Sequence, residues 1–328
     1  MKRIYSILGF LLAILIFGWV VHFTFRDVNA FELLGEIDAM QLVLNLALGS
    51  LYFFSFGYLM KMVYQHQYAI DVSWKDTFLL PFMMHLWTYI LPAKGGLIFQ
   101  TVFIKVKYRI GMSKGFSVGV LVFVASLLIT CVLGGLLSLQ LDNAGPLQLV
   151  LLGMFGTLLF FLFAGTLMKQ PAQEKSGFLN TLKGFIQNVL VQFRDQTKDQ
   201  WLLTKVLAVT LLSTLIHAGW FFHSAYILHF DPNVTGIVLA TLILRIVTLI
   251  RILPGNLGIQ EVMIGTVFMA AGLGLEEGLM TALLVRMVSV SLAATLGVGG
   301  LYINFRYFGT DSIHGLFSKL INSKQTSE

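Results

Sequence analysis

Five charged residues lie within or at the edge of long apolar runs: Lys94, Arg245, Arg251 and Arg286 are positive, and Glu261 is negative. On insertion scales an arginine or lysine at mid-membrane costs at least about 2.5 kcal/mol. One carboxylate cannot neutralise four cations. The excess positive charge calls for an anionic guest, and phosphate suits both the planar fork of arginine and the free amides of a helix N-terminus. Glu261 pairs with Arg286 or with Arg251, or carries a proton. Cations near helix ends can also snorkel to the interface, the plainer account of Lys94 and Arg286. Arg251 and Arg245 are harder to place that way, because Arg251 stands beside a break in the chain and Arg245 only a short way before it.

That break is Arg251-Ile-Leu-Pro-Gly-Asn-Leu-Gly-Ile-Gln-Glu261. Proline removes a backbone donor and clashes with the preceding turn, and two glycines release the φ restriction, so a helix over Gly236 to Leu253 must stop and another restart near Gly258. Each arm has about 18 residues, which reads as a helical hairpin dipping into a bilayer with broken backbone at its tip. An earlier stretch, Leu91-Pro-Ala-Lys-Gly-Gly96, shares Leu-Pro and a glycine four residues after the proline. The match suggests an internal repeat. Repeat-built transporters place their substrate between such discontinuous helices. The bland alternative is a pair of ordinary spans kinked by Pro and Gly.

The elements that must position these groups follow from composition. With 57% hydrophobic and 12% charged residues over 328 positions, the chain is an all-α polytopic membrane protein. Full spans are expected at Ile4 to Phe25, Met40 to Met60, Phe116 to Leu139, Leu147 to Met168, Trp201 to Leu228 and Leu279 to Phe305. The run Phe78 to Leu91 has about 14 residues, roughly 21 Å as a helix, too short to cross a core of about 30 Å. It enters and returns, giving a first re-entrant hairpin over about 78–105 and a second over about 236–275. Between them, Leu179, Leu182, Ile186, Val189, Leu190 and Phe193 recur at helical spacing, so about 177–195 is an amphipathic interface segment. A polar tail covers 306–328.

Lys105, Lys107, Arg109 and Lys114 lie together, while the loop with Asp27, Glu32, Glu36 and Asp38 is acidic. Basic loops face the cytoplasm, so both termini are placed inside. The two hairpins then enter from opposite sides, as in an inverted repeat. The single cysteine, Cys131, excludes an intramolecular disulfide. His217 and His223 are not spaced as metal ligands on one helix face, and both read as hydrogen-bonded bundle histidines. His85, in the first hairpin arm, is a candidate cavity residue. No nucleotide loop, paired carboxylates or nucleophile elbow appears, so no enzyme, cofactor or metal is expected. The basic balance points to anionic lipid surfaces, not nucleic acid.

Leu253-Pro-Gly-Asn-Leu-Gly-Ile-Gln-Glu261, followed by Gly272 and Ala282-Leu-Leu-Val-Arg286, resembles the signature of the transmembrane region of lysylphosphatidylglycerol synthases, which also occurs alone in flippase-like proteins. Pro254, Gly255, Gly258, Glu261 and Arg286 fall on the pattern. Leu91 to Gly96 looks like its first loop, but the usual glutamate is Leu97, the following arginine is Gln100, and a Glu-Arg pair on the next span is replaced near Phe123 and Val124.

The resemblance implies movement of a phosphate-bearing lipid between leaflets of a bacterial inner membrane. These residues include no synthetase domain, so the lipid would be made elsewhere. The expected substrate site is Lys94, Gly95, Gly96, Arg245, Arg251, Pro254, Gly255, Asn256, Gly258, Glu261 and Arg286. The alternative is a non-transporting membrane partner that presents a phospholipid, glycolipid or polyprenol lipid to a separate transferase.

Overall fold

A computed structural model describes residues 35–90, 95–140, 152–153, 155–156, 178–231, 233–248 and 256–308. The expected first span, most of the fourth, the tip of the first hairpin and the polar tail beyond 308 lie outside the described residues. Every regular element among those described is helical: α1 (Ala39–Tyr68), α2 (Trp74–Ile90), α3 (Gly95–Tyr108), α4 (Met112–Ser138), α5 (Phe178–Lys198), α6 (Gln200–Tyr226), α7 (Val234–Val247), α8 (Ile259–Ala270), α9 (Leu275–Leu292) and α10 (Val298–Phe308). A π-helical turn, Ala293–Gly297, joins α9 to α10.

Among the described residues, four stretches are long and apolar enough to cross a membrane: α1, α4, α6 and the continuous run Leu275–Asn304. Their surfaces are those of a protein whose outside is hydrocarbon. On α6 the outward positions are Leu211, Leu212, Leu215 and Phe222, whereas Thr210, Ser213, Thr214, His217 and Ser224 are buried. The inside of this helix is more polar than its outside, the reverse of a soluble helix. The chain is therefore an integral, polytopic, all-α membrane protein.

Polar caps carry these helices past their apolar windows. Asp38 accepts from the Met40 amide at 3.0 Å, and Gln41 reaches back to the Asp38 amide at 3.3 Å, a capping box that starts α1. Asp199, the single residue between α5 and α6, accepts from the Leu202 amide at 3.0 Å and so starts α6.

The helix ends sort into two groups. At one end of the bundle Lys107 of α3 lies 2.6 Å from Asp76 of α2 and donates at 2.7 Å to Asn304 of α10. Gln196 of α5 donates there to Tyr68 at 3.1 Å and to Ser117 at 3.0 Å. At the opposite end His223 of α6 lies 3.2 Å from the Gln41 carbonyl, and Thr235 of α7 donates to Gln140 at 3.1 Å. Gly236 and Ala271 also meet there, bringing the open ends of α7 and α8 together. Helices α2 and α3 thus open toward one end of the bundle, and α7 and α8 toward the other.

Two cores correspond to these ends. One gathers Leu59, Val63, Met83, Phe103, Leu121 and Leu202, and the other gathers Phe53, Phe221, Leu239, Phe268 and Val288. Segment α5 does more than lie on a surface. Val189 and Phe193 are buried, and Phe185 meets Phe116 of α4 edge-on at 5.8 Å, although Ile186, on the same apolar stripe, stays exposed.

Candidate functional site

The break between α7 and α8 is built from side chains that replace missing backbone bonds. Helix α7 ends at Val247, short of the expected Leu253, because the Asn256 amide nitrogen donates to the Val247 carbonyl at 3.0 Å. Thr248 also donates to the Arg245 carbonyl at 2.7 Å. The chain then turns through Asn256 at φ 50° and Gly258 at φ 81°, conformations that asparagine tolerates and glycine adopts freely. Helix α8 starts at Ile259. Its capping carboxylate belongs to Glu261, whose Oε2 accepts from the Gly258 amide at 2.9 Å.

Glu261 Oε1 forms an ion pair with Arg286 Nε of α9, and the two side chains are 1% and 7% exposed. Arg286 Nη2 also donates to Gln260 at 2.5 Å and to the Asn256 carbonyl at 3.4 Å. Of the roles left open for Glu261, the structure shows pairing with Arg286. The helix start expected to offer free amides to phosphate is occupied by the protein's own carboxylate. Arg286 Nη1 is buried and has no partner among the described residues.

Arg245, in the last turn of α7, is in a different situation. Its Nε is buried without a partner, and it belongs to no ion pair among the described residues. Both arginines line a cavity of about 970 Å³ to which helices from both cores contribute. Leu59, Met60, Val122, Phe123, Leu127 and Phe193 make apolar wall. His85, Thr88, Gln100, Ser213, His217 and Ser289 supply polar groups. A volume of that order is typical of a small-molecule or head-group pocket.

The expected site residues divide accordingly. Gly96, Arg245, Glu261 and Arg286 line the cavity. Gly95, Asn256 and Gly258 are buried beside it as helix-start and turn residues. Lys94, Arg251, Pro254 and Gly255 lie outside the described residues. Gly96 has a steric role: a Cβ there would fall 2.4 Å from the Met84 carbonyl, so α3 can lie directly on α2 only with glycine at this position.

The family model for the lysylphosphatidylglycerol synthase TM region matches residues 6–297. The chain belongs to that family. Comparison with curated proteins gives no match. Membership makes this a membrane protein related to lipid modification or flipping. It also gives meaning to the departures from the family pattern, because Leu97, Gln100, Phe123 and Val124 all line the cavity. In this member, those wall positions carry no charge.

Several cavity residues escaped the reading of the sequence, Tyr52 and Ser213 among them. His217, expected as a hydrogen-bonded bundle histidine, differs from His223. His223 does approach a carbonyl, but His217 Nδ1 is buried with no hydrogen-bond partner among the described residues, and its ring lies 4.1 Å from Tyr52 at 11°. A signal was present. On α6, Thr210, Ser213, His217 and Ser224 recur at helical spacing among leucines, marking a polar face inside an apolar span.

Proposed function

We propose that the protein binds a phosphate-bearing lipid and moves it between leaflets, with the head group in the cavity and Arg245 as its anchor. One observation carries this reading: Arg245 stands in a mostly apolar cavity wall with its Nε buried and without a partner among the described residues. A cation so placed is costly, and an anionic guest offsets that cost. Arg251, six residues on in the sequence, and Lys94 belong to the same proposal as further cationic contacts. The chain acts as a carrier, not an enzyme. It sits in a bacterial inner membrane with both termini in the cytoplasm, its two short-helix pairs entering from opposite faces. A transferase that makes or uses the lipid is the natural partner.

The test is purified protein in liposomes with head-group-labelled phospholipid, read both for binding and for loss of label protection across the bilayer. Arg245→Gln should weaken binding about tenfold or more, the worth of a charge-assisted contact. Folded Arg245→Gln protein with wild-type affinity would remove Arg245 from the site. Binding without movement would favour the other reading, a partner that presents lipid to a separate enzyme.

A further inference from the structure

We propose that the cavity selects a lipid whose phosphate carries an uncharged, hydroxylated substituent, glycerol or a sugar, read by His217 and Ser213, and that it rejects cationic head groups. This rests on the reading that Arg245 holds the phosphate.

His217 and Ser213 are four residues apart on α6, so they share a face, and both line the cavity. The imidazole is 4% exposed, stacked on Tyr52 and edge-on to Phe221 at 5.2 Å. Wedged between two rings, it cannot swing to find a partner for Nδ1. A buried ring nitrogen left unsatisfied in this way is a place for a ligand's hydrogen bond.

Ser213 is available by proton counting. The Ser55 hydroxyl lies 2.6 Å from the Tyr52 carbonyl and 2.9 Å from Ser213 Oγ, yet it has one proton to give. With that proton on the nearer carbonyl, Ser213 donates to Ser55 and keeps lone pairs for a guest. The wall therefore offers two neutral hydrogen-bonding side chains one helical turn apart, with Cβ atoms roughly 5–6 Å from each other, a spacing that adjacent hydroxyls can bridge. His217 of α6 and Arg245 of α7 line the same cavity, so a phosphate held by Arg245 shares it with this pair.

The charges facing the cavity decide the second half of the proposal. From α7 comes Arg245, from α9 Arg286, and from α8 Glu261; α2 contributes His85 and Tyr89, and α1 contributes Tyr52. Glu261 is the one carboxylate among the described lining residues, and both of its oxygens are engaged, by Arg286 and by the Gly258 amide. An ammonium entering the cavity meets two guanidinium groups and no free carboxylate.

The experiment uses the full chain in phosphatidylcholine nanodiscs. Four probe lipids are titrated: phosphatidylglycerol, phosphatidylinositol, phosphatidylethanol and phosphatidylethanolamine. Phosphatidylethanol has the charge of phosphatidylglycerol without its hydroxyls. We expect a hydroxylated lipid to bind about tenfold tighter than phosphatidylethanol, with phosphatidylethanolamine weakest. The glycerol and inositol arms show which hydroxylated group fits. His217→Phe keeps the ring stack and removes the nitrogen, so it should erase the preference by lowering phosphatidylglycerol affinity toward that of phosphatidylethanol. Ser213→Ala should erase part of it.

Equal binding of phosphatidylethanolamine and phosphatidylglycerol overturns the inference, as does a preference that survives in folded His217→Phe protein. If Arg245→Gln weakens phosphatidylethanol binding but wild-type protein shows no preference for hydroxyls, this inference alone fails. If Arg245→Gln changes nothing, or no phosphate lipid binds, the phosphate reading fails and this one with it.

Discussion

The pairs α2–α3 and α7–α8 begin their second helices after nearly the same words, Leu-Pro-Ala-Lys-Gly-Gly and Leu-Pro-Gly-Asn-Leu-Gly, yet they are fastened at opposite places. In α2–α3 the ionic fastening is at the open end. Asp76 is fully buried, 2.6 Å from Lys107, and accepts from Ser73 at 2.9 Å and from the Tyr108 hydroxyl. Toward the tip, contact is steric, through Gly96 on the α2 backbone. In α7–α8 the fastening is at the tip itself, where Glu261, Arg286 and Asn256 rebuild the interrupted backbone. The open end is held by small residues, with Gly236 against Ala271. A tip fastened by charges keeps a polar, fixed wall in the middle of the bundle. In α2–α3 the charged contacts among the described residues lie at the bundle end.

The largest expected effect follows from breaking the buried pair. Glu261→Ala leaves Arg286 as an uncompensated buried cation and should cost about 3–5 kcal/mol, read as thermal unfolding in detergent. The double variant Glu261→Leu/Arg286→Met should lose clearly less than the two single losses added together, because no lone charge remains. Additive losses would mean that the pair is not the fastening.

The next effect is smaller and comes from the other pair of helices. Lys107→Met removes one charge-assisted contact, but Asp76 keeps its bonds from Ser73 and Tyr108. The expected cost is about 1.5–3 kcal/mol in the same assay. A loss equal to that of Glu261→Ala would erase the contrast between the two hairpins.

How much of this was legible depends on range along the chain. The windows at Met40 to Met60, Phe116 to Leu139, Trp201 to Leu228 and Leu279 to Phe305 match described helices. The helices begin one residue early behind Asp38 and Asp199, and earlier still at Met112 and Leu275, where glycines precede them. The interruption after Arg245 was also visible, since Pro, Gly and Asn act locally. The pairing of Glu261 with Arg286 was not, because it depends on how α8 crosses α9. The same holds for His217: its place on α6 was plain, but its stacking on Tyr52 and its unpartnered nitrogen arise from packing against α1. Segment α5 was read as interfacial from its stripe, yet Leu190 and Phe193 reach the cavity wall. An amphipathic pattern shows which face is apolar and does not show whether lipid or protein covers it.

The smallest effect should come from Asp199, at the same bundle end as Lys107 but partly exposed. Its carboxylate accepts from the Leu202 amide at 3.0 Å and lies 2.7 Å from His66 Nε2 in the last turn of α1. The Leu202 amide bond and, after it, His66 hold its carboxyl below the usual value of 3.8. A folded-state value below the unfolded one means that the ionised form is favoured by folding. The contribution is therefore complete above about pH 4 and is lost as pH falls through the lowered folded-state value. Asp199→Asn keeps an acceptor for the α6 cap and removes the titration. The variant should be slightly less stable than wild type at neutral pH, and the gap should close as the pH is taken below about 4. A gap that stays constant from pH 7 to pH 3 would show that ionisation of Asp199 contributes nothing. The ionic fastening at this end of the bundle would then rest on the buried Asp76–Lys107 pair, and exposure would be what separates a charge that holds the fold from one that does not.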